Sequence, residues 1–498
     1  MSEKSIIIIG AGMAGLSAGC YARMNGYQSR IFELHNIPGG LCTSWKRKEY
    51  TIDGCIHWLV GSRSGMFNQF YKELGAVQDR QMVDNEEFIR VEGDEGKTLI
   101  VYTDIDRLEQ HLKELSPADA DVIEEFCSAV RLLGQHELPI KRPRELMGLF
   151  DLLKMANMRQ WVQTVQKYGK ISIQAFSSRF KDPFLRKAFP LTFEDMPNFS
   201  VLAVMVTLAD LHKKNAGIPI GGSLEFARAI EKRYMDLGGE IHYKSRVEKV
   251  VIENNRAVGI RLTDGTEHRA DIVISAADGH STIFDMLEGK YIDDSINNYY
   301  NEWPIYGPCI QISLGVARDF SNQPHRIIMP FEEAINIGKK THNWASLRHY
   351  CYDPGLAPAG KSVVIVSFMS VKYEYWKKLY EDTPSYKSEK KNLADAVINQ
   401  LEKRFPGIKA EIEVVDVATP MTYERYTGNW QGSYMGWRDT PVTMGKSMGR
   451  TLPGLKRFYM AGQWVYPGGG IPGSVMSGRH LMQIICNKDS KRFKATIP

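Results

Sequence analysis

The stretch SIIIIGAGMAGLSAGCYARMNGYQSRIFE, from Ser5 to Glu33, decides the fold. Its run of isoleucines reads as a short buried strand, the glycines at 10, 12 and 15 as a tight turn opening a helix, and QSRIFE as a second strand. The pattern GxGxxG thus sits where it has mechanical meaning, after a strand and before a helix. Gly10 permits the turn, Gly12 lets a pyrophosphate approach, and Gly15 lets helix and strand pack closely. Met13 and Ala14 complete the helix opening. Glu33, at the end of the second strand with Leu34 after it, is placed to accept hydrogen bonds from a ribose diol; a carboxylate there disfavours a 2′-phosphate. The unit is therefore a dinucleotide site, which by itself does not separate NAD from FAD.

A second glycine-rich loop stands near the other end of the chain, AGQWVYPGGGIPGS, residues 461–474. It follows the strand-like RFYM and precedes a helix, SVMSGRHLMQIIC. Between the two loops the pattern changes several times. Residues from about 105 to 215 have Leu, Met and Phe at helical spacing. From Gly217 the α/β pattern returns, with a helix in GGSLEFARAI, strands in IHYK, VEKVVIE, AVGIRLT and DIVISAA, and an Asn254-Asn255 hairpin turn. From about 300 to 420 the apolar runs CIQISLGVA, SVVIVSFMS and EVVDVA, with one charged helix near 388–404, read as an antiparallel sheet.

The expected fold class is α/β: a Rossmann-like domain interleaved with an α+β substrate domain and a helical insert. Residues 1–70, 215–285 and 445–498 form the nucleotide-binding part, 71–214 the insert and 286–444 the sheet-bearing part.

The chain has 498 residues, 43% of them hydrophobic and 24% charged, the composition of an ordinary globular protein. A formal charge of +5 argues against nucleic-acid binding. Seven cysteines without CxxC spacing indicate neither a disulfide framework nor a zinc site, and no metal is expected. The start, MSEKS followed at once by a strand, carries no secretory signal, so a cytoplasmic location is expected. No run is long enough to span a bilayer, so membrane contact would be peripheral.

Further motifs narrow the cofactor. NIPGGLCTSW, with Gly39, Gly40 and Leu41, resembles the turn that follows the second strand in FAD-dependent oxidoreductases. Together with YTIDGCIHWL, GIPIGGSLEFARAI, the segment around Val247, ISAAD with Ala276, and the late glycine loop, it occurs in the order seen in phytoene desaturase-like flavoproteins. That group includes carotenoid desaturases, carotenoid isomerases and retinol saturases, within the amine oxidase-like superfamily. The resemblance spans essentially the whole chain and is specific in the FAD-binding sections. It implies that FAD is held by the Gly10–Gly15 turn, Glu33 and the Gly39-Gly40 turn. It further implies backbone contacts to adenine at Val247, and a flavin lying against Gly462, Gln463, Gly470, Ile471 and Pro472. A helix starting near Ser474 would point its N-terminal dipole at the flavin N1 and C2 carbonyl. Two positions depart from the group: Leu41 stands where Arg is frequent, and Gln463 where many members have Asp. An amide can still bond ribityl hydroxyls.

The resemblance implies an FAD-dependent oxidoreductase that adds or removes hydrogen across C–C or C=C bonds of a lipophilic, isoprenoid-like polyene. A flavin-dependent cis–trans isomerase and an amine oxidase acting on a C–N bond are the alternatives. His57 and Tyr434 are the candidate catalytic side chains; His57 is equally readable as a buried structural histidine. Tyr426, Trp430, Tyr434 and Trp437, in a segment that resembles the family's cavity lining, are expected around the substrate. No second GxGxxG unit follows a strand, so electrons are expected to pass through the substrate, a quinone, oxygen or a small redox protein. Between Lys141 and Lys187 eleven basic residues face three acids, with apolar stripes Leu146/Leu149/Phe150/Leu153 and Met158/Trp161/Val162/Val165. That insert reads either as a membrane-facing surface or as a helix packed on the core.

Overall fold

The computed structural model describes residues 4–93, 96–137, 140–148, 151, 158–193 and 196–498. The opening stretch folds as read, into strand β1 (Ser5–Ile9), helix α1 (Met13–Met24) and strand β2 (Gln28–Phe32). β1 is the central strand of a five-stranded parallel sheet in the order 458–460, 272–275, β1, β2, 240–242. Four consecutive isoleucines suit that place because both faces are covered. Ile6 and Ile8 point to the layer containing α1, the helix Gly222–Asp236 and the last helix, Gly470–Lys488. Ile7 and Ile9 point to a three-stranded antiparallel sheet built from 247–253, 256–262 and 267–269. In the hairpin of that sheet Asn254 and Asn255 both take positive φ, 49° and 57°, which a two-residue turn with the right twist requires.

Three distant parts of the chain thus build one sheet. The last helix begins at Gly470, four residues earlier than the expected start near Ser474, because Gly469 in a non-helical conformation ends the loop there.

The second large sheet has seven strands, in the order 412–418, 310–316, 362–368, 340–349, 326–337, 87–92, 98–102. The three apolar runs noted in the sequence supply its first three strands. The long hairpin Arg326–Ile337 and Lys340–His349 is an addition that hydropathy concealed: its tip is polar and exposed, and Pro330 falls at a break in the register. Two further strands, Glu87–Glu92 and Thr98–Tyr102, come from within the stretch read as a helical insert, and the first joins the hairpin in parallel through Ile327↔Arg90.

The rest of that stretch forms a helical lobe with its own core. Trp161 is buried there, with Met158, Val162 and Val165 packed around it, so this stripe faces inward and not toward a membrane. Of the basic residues nearby, Lys167 and Arg179 both pair with Glu125. Leu149, Phe150 and Leu153 of the other stripe lie outside the described residues. Among the described residues no helix is long and apolar enough to cross a membrane.

Candidate active site

The nucleotide end is assembled by backbone contacts. Gly10, at φ +96°, donates its N–H to the Phe32 carbonyl at 2.8 Å, tying the turn to the end of β2. A Cβ on Gly15 would collide with the Gly10 carbonyl oxygen and come within 3.3 Å of the Ala276 Cβ. Gly12 is different: its backbone is ordinary, φ −69°, and nothing lies within 4 Å of where a Cβ would stand. That open space in front of α1, a helix with no side-chain cap, is a cradle in which backbone N–H groups can meet a phosphate. The Gly39-Gly40 turn closes it from the side, with the Gly39 N–H donating to the Ala11 carbonyl at 2.9 Å. Leu41, directly after it, is half-buried.

Glu33 is buried at the end of β2. One carboxylate oxygen accepts the Ala11 N–H at 2.6 Å and the other the His35 N–H at 2.8 Å. Burial raises its pKa, while these N–H donors oppose the rise. Each oxygen keeps a lone pair for a hydroxyl, which fits a ribose. Val247 is buried in the core beside Ile7 and Phe32, so only its backbone is free to serve a ligand. The Leu34 side chain packs near Gly428.

The late loop reaches the same place from the other side. Gly462, at φ +108°, has its α-carbon facing Ala14, and its N–H donates to Ser477 Oγ at 2.9 Å. Gly469 lies against the Met435 carbonyl, and the last helix, which Gly470, Ile471 and Pro472 open, has no side-chain cap at its start. Gln463 donates from Nε2 toward Asn429 Oδ1 at 3.4 Å, which leaves its own carbonyl available. An open cradle, a buried carboxylate positioned for a diol, and a second uncapped helix start together fit FAD, with its ADP end on Gly10–Gly15 and its flavin end on the late loop.

The profile of the flavin containing amine oxidoreductase family matches residues 13–481. The chain belongs to this family. It is an FAD-dependent oxidoreductase. It is 25% identical over 509 residues to the chloroplastic prolycopene isomerase of Daucus carota, covering 96% of this chain and 79% of that one. It is 24% identical to the 4,4′-diapophytoene desaturase (4,4′-diapolycopene-forming) of Methylomonas sp, covering 99% and 97%. Among solved structures, an oxidoreductase from Methanosarcina mazei shares the fold at a TM-score of 0.60 with 19% identity, covering 96% of this chain and all of that one.

The structure does not gather the four aromatic residues of the segment 426–437 around one cavity. Tyr426 is 44% exposed and meets His35 edge-on, at the nucleotide end. Trp430 stacks on His280 at 4.8 Å. Trp437 is wholly buried among Trp303, Trp464 and Tyr300, its indole N–H satisfied by the Trp464 carbonyl at 2.8 Å. Tyr426 lies in the helix Pro420–Thr427 and the other three in the turns after it, so no single helical or strand period could tell their directions apart. Tyr434 alone points to the helical lobe, with its hydroxyl 3.9 Å from Met196 Sδ.

His57 lines a cavity of about 390 Å³ together with Trp58, Phe88, Leu211, Ile218 and His325. Its Nε2 meets the Arg348 guanidinium. Burial, then the positive charges of Arg348 and Arg326, hold its pKa well below the usual imidazole value. His57 is therefore neutral at pH 7, a hydrogen-bonding group and not a proton donor in its charged form. Charged residues line the cavity too: Glu86, which pairs with Arg107, Glu87, which pairs with Arg90, and Asp84, Asp104 and Lys214.

From this cavity an aromatic seam runs inward. Trp58 and Phe88 contact Phe193, with ring centroids 6.2 and 5.5 Å apart. Phe193 stacks on Phe199 at 5.6 Å, Phe199 meets Tyr306 at 6.3 Å, and Tyr306 meets Tyr434 at 5.5 Å. All are within the range of favourable ring contact. The residue after Tyr434 is Met435, whose carbonyl rests on Gly469 of the late loop. Except for Tyr434, no member of the seam was singled out from the sequence, because they are drawn from segments up to 376 positions apart (58 to 434) that only the fold aligns.

Proposed function

We propose that this FAD-dependent oxidoreductase adds or removes hydrogen across C–C or C=C bonds of a lipophilic polyene. The observation that carries the reading is the aromatic seam leading from the His57 cavity to the glycine loop. The rings are buried in the core of the helical lobe or packed against it, and on this reading they form the apolar, π-bearing side against which an elongated conjugated chain packs. The desaturase and isomerase relatives support it, since both are named for such chains.

Bound FAD would supply hydride and electron transfer. The residues of this chain bind and orient: Gly12 and the start of α1 hold the pyrophosphate, Glu33 the ribose, and the N-terminus of the last helix favours negative charge near the flavin. His57, neutral, lines the cavity that admits the substrate. The electron partner on this reading is oxygen, a quinone or a small redox protein.

A flavin-dependent isomerisation is the second reading, favoured by the relative from Daucus carota. Incubating the FAD-loaded protein with phytoene, 4,4′-diapophytoene and prolycopene, and following products by mass and retention, separates the readings. A change of two daltons supports hydrogen transfer, and a shift of isomer without mass change supports isomerisation. Recovery of every polyene unaltered, with hydrogen peroxide formed from amines, would overturn both in favour of C–N oxidation.

A further inference from the structure

A short hairpin, Ser44–Arg47 and Tyr50–Asp53, follows the Gly39-Gly40 turn, and its register pairs Ser44 with Asp53. One step outward the Gly54 N–H donates to the Thr43 carbonyl at 3.0 Å. The next step sets Cys42 across from Cys55. Opposed residues of an antiparallel ladder share a face, and this face looks at Ser223, in the first turn of the helix Gly222–Asp236. The Cys42 thiol donates to the Ser223 carbonyl at 3.3 Å. From the other strand the Asp53 carboxylate accepts the Ser223 hydroxyl at 2.7 Å, and the Ile56 N–H donates to the same hydroxyl at 2.8 Å. The two cysteines are thereby brought together, and their thiols are in hydrogen-bond contact. Other cysteines keep a different kind of company: Cys20 Sγ meets the Ile230 carbonyl, Cys351 the Ser362 hydroxyl and Cys486 the Tyr27 phenol.

The two sulfurs differ in access. Cys42 is buried, 2% exposed, whereas Cys55 is half-buried. Contact with the Cys55 thiol, then burial, push the Cys42 pKa well up, so Cys42 keeps its proton and is inert toward reagents from solution. A reachable thiol that reacts first, with a buried one held against it to resolve the product, is the arrangement of a redox-responsive pair.

We propose that Cys42 and Cys55 form a redox modification site, a dithiol that hydrogen peroxide closes to a disulfide across the base of the hairpin. Peroxide arises wherever a reduced flavin passes its electrons to oxygen. The Cys55 sulfur attacks one peroxide oxygen: the O–O bond breaks, Cys55 becomes a sulfenic acid, and the other oxygen leaves as water with the thiol proton. The Cys42 sulfur then attacks the sulfenic sulfur: the S–S bond forms, the S–O bond breaks, and the Cys42 proton leaves with that oxygen as a second water. Two thiols and one peroxide become one disulfide and two waters, the sulfurs losing the two electrons that the peroxide gains.

The bond acts on the cofactor site through Cys42. Its N–H donates to the Gly39 carbonyl at 3.0 Å, and a Cβ on Gly39 would stand 2.2 Å from the Cys42 carbonyl oxygen, so turn and cysteine move together. Gly39 is itself bonded to the Ala11 carbonyl at the cradle. With Cys42 tied to Cys55 the turn cannot swing outward, and FAD leaves more slowly.

The test uses the full-length FAD-loaded protein, reduced, desalted and exposed to hydrogen peroxide, with remaining thiols alkylated on unfolding. Seven alkylated cysteines before exposure should fall to five after it, with Cys42 and Cys55 recovered as one linked pair of peptides that a reductant separates. In Cys42→Ser, Cys55 should instead accumulate as sulfenic acid trapped by dimedone, and in Cys55→Ser, Cys42 should stay a thiol. Cys42 and Cys55 both still alkylated after exposure, or either one linked to a different cysteine, overturns the proposal. The wild-type mapping needs no variant, so it decides even where Cys42→Ser does not fold. No polyene enters it, so its failure and that of the polyene reading are distinct. Release of FAD, followed by the fluorescence of the freed flavin, is expected to be at least about threefold slower from the linked protein than from the reduced one. In Cys55→Ser peroxide should leave that rate unchanged. Release as fast from the linked protein as from the reduced one overturns the clamp on the Gly39-Gly40 turn.

Discussion

Gly12 and Gly15 stand one helical turn apart and are glycine for opposite reasons. At Gly15 the space is filled by the Gly10 carbonyl and Ala276, so a methyl group has nowhere to go. At Gly12 the space is open and the backbone is one that any residue adopts. Gly12→Ala should therefore leave the apo-protein's stability within about 1 kcal/mol of wild type. Because the methyl fills the cradle, affinity for FAD should fall at least about tenfold, roughly 1.4 kcal/mol. Gly15→Ala should lose both. Melting temperature without cofactor and fluorescence titration with FAD distinguish the two; equal loss of stability would refute the cradle. This part of the site was legible because GxGxxG encodes local backbone geometry. Trp437 and Tyr426 were not, because whether an aromatic ring faces core, solvent or cavity depends on partners far away in sequence.

Glu125 shows what the basic surface of the helical lobe does at the level of elements. Projecting from the helix Ala120–Gly134, it is gripped by Arg179 at the Nη1 position, 3.1 Å, by the Tyr168 hydroxyl, 2.7 Å, and by Lys167, 3.0 Å. It thereby joins the helices Ala120–Gly134 and Arg159–Tyr168 to the turn after Ile173–Ser177. Arg179 first, then Tyr168 and Lys167, hold its carboxyl down to about 2. A depressed value means the pairing stabilises the fold above the ordinary carboxylate pKa and is lost as pH falls toward about 2. Glu125→Gln should lower the melting temperature by a few degrees at pH 7, since partly exposed pairs contribute about 1 kcal/mol or less each. The gap between variant and wild type should close as the pH falls from 5 toward 2. A gap that persists in acid would show that packing, not charge, binds these helices. The helices themselves were legible from their apolar spacing. The strands 87–92 and 98–102 were not, because their stability comes from a sheet whose other strands lie more than 200 positions later.

Across the whole molecule, the two ends of the chain are joined by the contact between α1 and the last helix. Ser17 Oγ donates to the Val475 carbonyl at 2.8 Å, and Gly478 is pressed so closely to α1 that a Cβ would stand 2.6 Å from the Ala14 carbonyl oxygen and 2.8 Å from the Ala18 nitrogen. Both neighbours are backbone, so neither can turn aside. The interleaving of domains could be read from the order of the motifs, but this contact could not, since GR in SVMSGRHL looks like any helical glycine. Gly478→Ala should push the helices apart at a cost of about 1–3 kcal/mol. It should also carry Gly462 and the late loop away from Gly12, weakening FAD although residue 478 is placed in a helix contact and not in the cradle. The expected result is a melting temperature several degrees lower without cofactor and an FAD affinity reduced at least about tenfold. Gly148→Ala, where nothing lies within 4 Å of the added methyl, serves as the control and should change neither. If Gly478→Ala lost stability but bound FAD as tightly as wild type, the two ends of the chain would be joined for folding alone, and the flavin end of the site would be positioned by the Met435 and Asp439 contacts to the glycine loop instead.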